Sequence, residues 1–149
     1  MILQDTYTLS NGVNIPKIGL GTWMIDDEKV AQVVQTAVEV GYRHIDTAQA
    51  YQNEKGVGEG IKNSNLNRDD LFITTKLAAE IKDYNTAVAA IDESLNKMEL
   101  DYIDLMIIHS PKPWDKFGGE NRFFNGNKEV WKALEQAYKE NKVKSIGVS

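Results

Sequence analysis

The sequence predicts an α/β fold built on a parallel sheet. Three observations carry this. Strand-like and helix-like segments alternate along the chain, the helix segments repeat their apolar residues with the helical period, and the fourth strand segment of that alternation is apolar at almost every position. Regular β-α alternation implies parallel strands joined by right-handed crossovers.

The elements follow in order. A hairpin is expected over residues 1–16, where Tyr7-Thr8-Leu9 and Val13-Asn14-Ile15 flank Ser10-Asn11-Gly12. Asn-Gly favours the positive φ angles of a tight hairpin turn, and Pro16 closes the second strand. Ile18 to Gly21 is a short strand. Val30, Val33, Val34, Ala37 and Val38 share one helix face, with Asp26 and Asp27 suited to capping its start and Gly41 to ending it. His44-Ile45-Asp46 is the next strand. Residues 54–63 read as helix despite Gly56, Gly58 and Gly60, each costing ~1 kcal/mol relative to Ala. Leu71 to Lys76 is a strand, and Val88, Ile91, Leu95 and Met98 mark a third helix. Tyr102 to His109 is the apolar strand, followed by a long loop over residues 110–126. Asn127 is the expected cap of a fourth helix with Val130, Trp131, Leu134 and Tyr138 on its inner face, and Ser145 to Val148 is a fifth strand of the alternation. Two architectures fit this order: a doubly wound open sheet, or a stretch of barrel wall.

Composition narrows the function. With 149 residues, 42% hydrophobic and 26% charged, the chain has the material for one domain with a sizeable core. A net charge of −5 without a basic run disfavours a nucleic-acid partner. The absence of cysteine excludes disulfides and thiolate metal sites, and the two histidines, His44 and His109, make a histidine-rich metal site unexpected. The segment Met1-Ile2-Leu3-Gln4-Asp5 lacks the pattern of a signal peptide, and no apolar run reaches membrane-spanning length. The expectation is a cytoplasmic protein with no metal, membrane or nucleic-acid partner.

The glycine clusters do not make a dinucleotide fingerprint. Gly19-Leu20-Gly21-Thr22-Trp23-Met24 has Met where the third glycine belongs. Gly56-Val57-Gly58-Glu59-Gly60-Ile61 fails at the same place. Close backbone packing is the expected reason for both, and this weakens the doubly wound alternative.

Three strands end on an ionisable residue: Asp46, Lys76 and His109. In a barrel, the C-terminal strand ends line one mouth, where catalytic groups collect. Tyr51 lies five residues past Asp46, in the loop at that same mouth. Taken singly, Asp46 and Lys76 read as a structural ion pair, His109 as a core histidine and Tyr51 as loop packing. All four on one rim make a chemical set. An ammonium beside a phenol stabilises the phenolate, so a tyrosine so placed serves as a general acid, with a carboxylate orienting the lysine. A histidine opposite can orient a carbonyl oxygen. That set suits carbonyl reduction, with a cofactor supplying the hydride.

Gly41-Tyr42-Arg43-His44-Ile45-Asp46-Thr47-Ala48, with Glu54 and Gly58 beyond it, resembles the first signature of the aldo-keto reductases. Gly19 to Trp23, Phe72 to Leu77, and Leu100 to His109 resemble their first, third and fourth barrel strands. The resemblance runs from the hairpin to Ser149. It implies a TIM (β/α)8 barrel, here its N-terminal half preceded by the hairpin, and NADPH-dependent reduction of an aldehyde or ketone. NADH is not excluded. It makes Tyr51 the proton donor, tuned by Lys76 and Asp46, with His109 positioning the substrate carbonyl. It puts Gly21, Thr22 and Asp46 at the nicotinamide ribose and Trp23 on the substrate wall. Many members carry an aromatic residue directly after the histidine; here Ser110 and Pro111 follow, and Trp114 stands in. A non-catalytic nucleotide-sensing or interaction subunit is the alternative function for the same fold.

A full barrel needs about 250 residues. The expectation is therefore a chain truncated after the fifth barrel strand, without the later cofactor-gripping strands. Two open sheet edges and exposed interior residues, from Leu71 to Ile73 and Tyr102 to Ile108, would then favour self-association or union with a C-terminal half.

Overall fold

The computed structural model describes residues 2–149; Met1, the first residue of the expected hairpin segment, lies outside them. Strands β1 (Thr6–Thr8) and β2 (Asn14–Pro16) pair antiparallel with Tyr7 opposite Ile15. Gly12 takes the turn at φ 85°, the positive angle the Asn-Gly pair announces. The rest alternates as expected: β3 (Leu20–Gly21), α1 (Asp27–Glu39), β4 (His44–Asp46), α2 (Glu54–Lys62), β5 (Phe72–Leu77), α3 (Tyr84–Met98), β6 (Leu105–Ile108), α4 (Phe124–Lys139) and β7 (Ile146–Val148).

The five later strands form one parallel sheet in chain order, β3-β4-β5-β6-β7. A doubly wound sheet reverses its strand order and carries helices on both faces. Here the order never reverses, and α1 packs on α2, α2 on α3 and α3 on α4 in one continuous layer. That decides between the two architectures: the sheet is a stretch of barrel wall with its helices outside. Among the described residues no helix is long and apolar enough to cross a membrane.

Strand alternation sorts the side chains. Ile45, Ile73, Leu77, Met106 and Ile108 join Val34, Val57, Ile91 and Leu134 in the core between sheet and helices. Each fully buried aliphatic side chain there contributes about 1.5–3 kcal/mol. Their neighbours in sequence face the barrel axis, where His44 Nε2 meets Thr74 Oγ1 at 2.8 Å and the His44 and Phe72 rings meet edge-on at 5.0 Å.

Helix α1 ends as Gly41 announces. At φ 108° it lets its own N–H reach Val38 O and the Tyr42 N–H reach Ala37 O, closing the last turn. The α2 glycines answer to close packing. A Cβ at Gly56 would lie 2.2 Å from Asp27 O, and one at Gly58 2.3 Å from Met98 O, so α2 wedges tightly between α1 and α3.

Several expectations need correction. Asp26 occupies the N-cap position of α1, but its side chain bonds Lys29 at 2.8 Å instead of capping, and Asp27 Oδ1 accepts from the Gly56 N–H. Strand β6 covers Leu105–Ile108 only. Tyr102 lies before it, and Ile103 makes an isolated bridge to Val143. Helix α4 starts at Phe124 with Phe123 at its N-cap, so Asn127 sits in the first turn, its side chain donating to Pro111 O. Tyr138 is exposed, and the buried α4 face is Val130, Ala133, Leu134 and Ala137: the stripe is centred on Val130 and Ala137, and Tyr138 falls just beyond its Leu134 edge. Leu71, Phe72 and Ile73 are buried rather than exposed, while Leu105 and Ile107 are half-buried.

Candidate active site

The parallel register brings Asp46, Lys76 and His109 to one mouth. Asp46 pairs with Thr74, and Lys76 lies one pleat further along β5 on the same face. The turn Gln49–Tyr51 then folds back over that end, with Gln52 in the left-handed region at φ 55°. His109 directly follows β6 and donates its backbone N–H to Leu77 O.

The Lys76 ammonium is the centre of the cluster. It donates to Asp46 Oδ1 at 2.5 Å, to Thr47 O at 2.8 Å and to the Tyr51 hydroxyl at 3.3 Å. An ammonium has three N–H donors, so all three are spent on these partners. Tyr51 therefore accepts through its oxygen, and its own proton is free to be given elsewhere. The Tyr51 and His109 rings meet edge-on at 5.7 Å. Trp114 meets His109 on another side at 5.3 Å, and Phe117 stacks on Trp114. Burial, reinforced by the Lys76 ammonium, holds the His109 imidazole below its ordinary value against the opposing pull of Asp46 and Glu80. A ring kept neutral in this way has one N–H to offer a carbonyl oxygen. Its Nδ1 is buried without a hydrogen-bond partner among the described residues.

The expected cofactor residues lie beside this cluster. Gly21 pairs with Asp46 in register, and a Cβ at Gly21 would meet nothing within 4 Å. That leaves open space next to a carboxylate whose side chain is 31% exposed, a setting that fits a hydroxyl-bearing ribose. Thr22 is fully buried, its N–H and hydroxyl both directed at Asp46 O. Trp23 stands exposed on the loop that follows and makes no ring contact with the four residues, whereas Trp114 does. Among the described residues there is no group of three or more metal-ligating side chains. A cavity of about 650 Å³ lies elsewhere, between the hairpin turn, α4 and the β7 edge, and none of the four residues lines it. It borders the outer edge of β7.

Two supporting residues escape a reading by strand ends. Asn53 is fully buried, accepts from Thr47 Oγ1 at 2.7 Å, and donates to Thr22 O and Ile25 O at 2.8 and 2.9 Å. It ties the Trp23 loop to the segment that carries Tyr51. Gln49 ties that segment to β5 and α3. Both are polar residues in a turn, a pattern that composition does not distinguish from solvent-exposed loop.

Residues 17–149 match the Aldo/keto reductase family. The chain belongs to the aldo-keto reductases. The glyoxal reductase of Bacillus subtilis (strain 168) is 43% identical over 148 residues, covering 99% of this chain and 50% of that protein. The methylglyoxal reductase DkgA of Escherichia coli (strain K12) is 44% identical over 140 residues, 94% of this chain and 47% of its own length. Among solved structures, an aldo/keto reductase from Brucella melitensis superposes with a TM-score of 0.86 at 40% identity, covering 97% of this chain and 52% of that one. The Bombyx mori aldo-keto reductase in complex with NADP superposes with a TM-score of 0.83 at 37% identity, covering 97% and 50%. The chain thus spans about half the length of the aldo-keto reductases it matches, and its five parallel strands with the hairpin are part of a TIM barrel.

Proposed function

We propose that this chain carries the acid–base site of an NADPH-dependent carbonyl reductase, converting an aldehyde or ketone to an alcohol with Tyr51 as proton donor. The saturated Lys76 ammonium supports this reading above all: it engages the Tyr51 oxygen and leaves the phenolic proton to be donated. NADPH, when bound, supplies the hydride, and the open space beside Gly21 and Asp46 is where this chain would hold its ribose. Tyr51 gives its proton to the carbonyl oxygen as negative charge develops there. The Lys76 ammonium stabilises the phenolate left behind, and Asp46 balances and orients that ammonium. The neutral His109 ring donates a hydrogen bond that holds the carbonyl oxygen. Trp114, packed against His109, gives an apolar wall, and the exposed Trp23 is a second candidate for the substrate wall.

The names of the relatives make glyoxal and methylglyoxal the first substrates to try. The test is NADPH oxidation with methylglyoxal, on this chain and on a protein of the relatives' full length that includes it. Tyr51→Phe in the active form should lower turnover by ~10²–10⁴, the usual range for a lost general acid, with NADPH affinity unchanged. Parent-level turnover in the Phe variant would remove Tyr51 from the mechanism. Tight NADPH binding without turnover of any carbonyl would favour a nucleotide-sensing role instead.

A further inference from the structure

Tyr51 and Lys76 come from different segments, and a hydroxyl placed against an ammonium needs both held still. The Gln49–Tyr51 turn is a single short 3-10 turn, too short to fix its own direction. What holds it is the side chain two residues before Tyr51. Gln49 Oε1 accepts from the Ala78 N–H at 2.8 Å, just past the strand that carries Lys76. Its Nε2 donates to Ala90 O and to Ser94 Oγ on α3, both at 2.9 Å. Ser94, fully buried, donates its own hydroxyl to Glu54 Oε2 at 3.2 Å, and Glu54 Oε1 accepts from Thr75 Oγ1 at 2.6 Å. Thr75 is the neighbour of Lys76 on β5, and Glu54 is the first residue of α2. A chain of polar contacts, part-buried at Gln49 and buried at Ser94, Glu54 and Thr75, thus runs on the helix side of the sheet from the base of Tyr51 to the base of Lys76.

We propose that Gln49 is a positioning residue that sets the Tyr51 hydroxyl against Lys76, acting through this network with Ser94, Glu54 and Thr75. The inference rests on Tyr51 being the proton donor only for its effect on turnover. The hydrogen bonds of the Gln49 side chain all go to Ala78, Ala90 and Ser94 of the chain itself. Burial holds the Glu54 carboxyl above its ordinary value while the Thr75 and Ser94 hydroxyls oppose it, which suits a carboxyl built into a network rather than left to solvent.

The test uses this chain and its two histidines. Ring C–H signals in proton NMR, assigned with a His109→Asn variant, report on His109, which lies edge-on to Tyr51, and on His44, which lies against Phe72 at the far end of the strands. In Gln49→Met, which keeps the length but loses the hydrogen bonds, Tyr51 leaves its place. The His109 signals then shift, and its titration rises toward the ordinary imidazole value of about 6.5 as water reaches the ring. Lys76, Asp46 and Glu80 are the charges that also act on His109, and none is altered. His44 signals stay where they are. In an active form of the relatives' length, kcat falls roughly 10- to 100-fold with KM unchanged, as expected for a misplaced catalytic group. A Gln49→Met variant that melts earlier yet keeps its His109 signals overturns the proposal, because Gln49 would then be structural only. Should that variant not fold, Ser94→Ala carries the same comparison, with unchanged His109 signals again the refuting result. If the parent reduces no carbonyl while His109 still responds, the reductase reading fails and the positioning role stands.

Discussion

Replacing Asn53 by Ala tests whether the loop bearing Trp23 is held by the segment bearing Tyr51. Asn53 is fully buried and makes three short side-chain hydrogen bonds, to Thr47 Oγ1, Thr22 O and Ile25 O. A protein hydrogen bond nets about 1 kcal/mol, and a buried donor left without a partner adds a desolvation cost of that order. Thr22 O keeps the Ile25 N–H as a second partner, whereas the buried Thr47 hydroxyl loses its acceptor. The expected loss is therefore about 3 kcal/mol. With a urea m-value of about 2 kcal/mol/M, the unfolding midpoint should fall by about 1.5 M. Asn53→Asp sharpens the test. It keeps the acceptor for Thr47 but turns a carboxylate toward two carbonyl oxygens, so it should cost at least as much as Ala. A midpoint shift below about 0.5 M for Ala, or an Asp variant as stable as the parent, would refute the reasoning.

Asp104→Asn should cost about 3–5 kcal/mol in urea unfolding, because Asp104 Oδ2 accepts from both Arg68 Nη2 and the Ile73 N–H, and Arg68 would keep its charge with no carboxylate partner. A loss under 1 kcal/mol would show that the pair is solvated. Lys76→Met in an active form should lower turnover about as much as Tyr51→Phe, since it removes the charge that stabilises the phenolate; a variant with parent kcat would refute this. His44 and His109 are both held low by burial, so their contribution to stability is full above pH ~6.5 and is lost as pH falls below it, where the unfolded chain takes up protons first. Glu54 works in the opposite sense. Its raised value stabilises most below pH ~4.5, and this is lost as pH rises, so Glu54→Gln should lose less stability between pH 4.5 and 7 than the parent does. A parallel pH profile in the two proteins would refute that assignment. The unpaired β7 edge, where Val148 is 68% exposed, should make the isolated chain associate; light scattering that gives a stable monomer of 16.8 kDa would count against it.

The strand ends were legible because alternation leaves few choices. Once Ile45 and Ile73 face the helices, Asp46 and Lys76 must face the axis, and a parallel register brings them to one mouth. The element bounds that failed share a cause. Tyr102 to Ile108 is apolar at every position but Asp104, yet apolar character marks burial, not pairing: Leu105–Ile108 pairs with β5, and only Met106–Ile108 pairs with β7 as well. Asn127 looks like a cap, yet its amide finds Pro111 O across the loop, and the helix begins earlier at Phe124. Asp26 likewise finds Lys29 before it can cap.

The sequence by itself determined the alternation, the family signature and the identity of the three polar strand-end residues with Tyr51 in the loop beside them, because these depend on local period and on residue type. The alternation by itself fitted both a doubly wound sheet and a barrel wall, and the resemblance to the aldo-keto reductases implied the barrel. The tertiary structure shows it directly, since strand order and the one-sided helix layer are contacts between segments far apart in the chain. The tertiary structure alone also assigned Asn53 and Gln49. Their side chains act through partners 28 to 45 residues away, and a hydrogen bond at that separation leaves no mark on the local pattern of either residue.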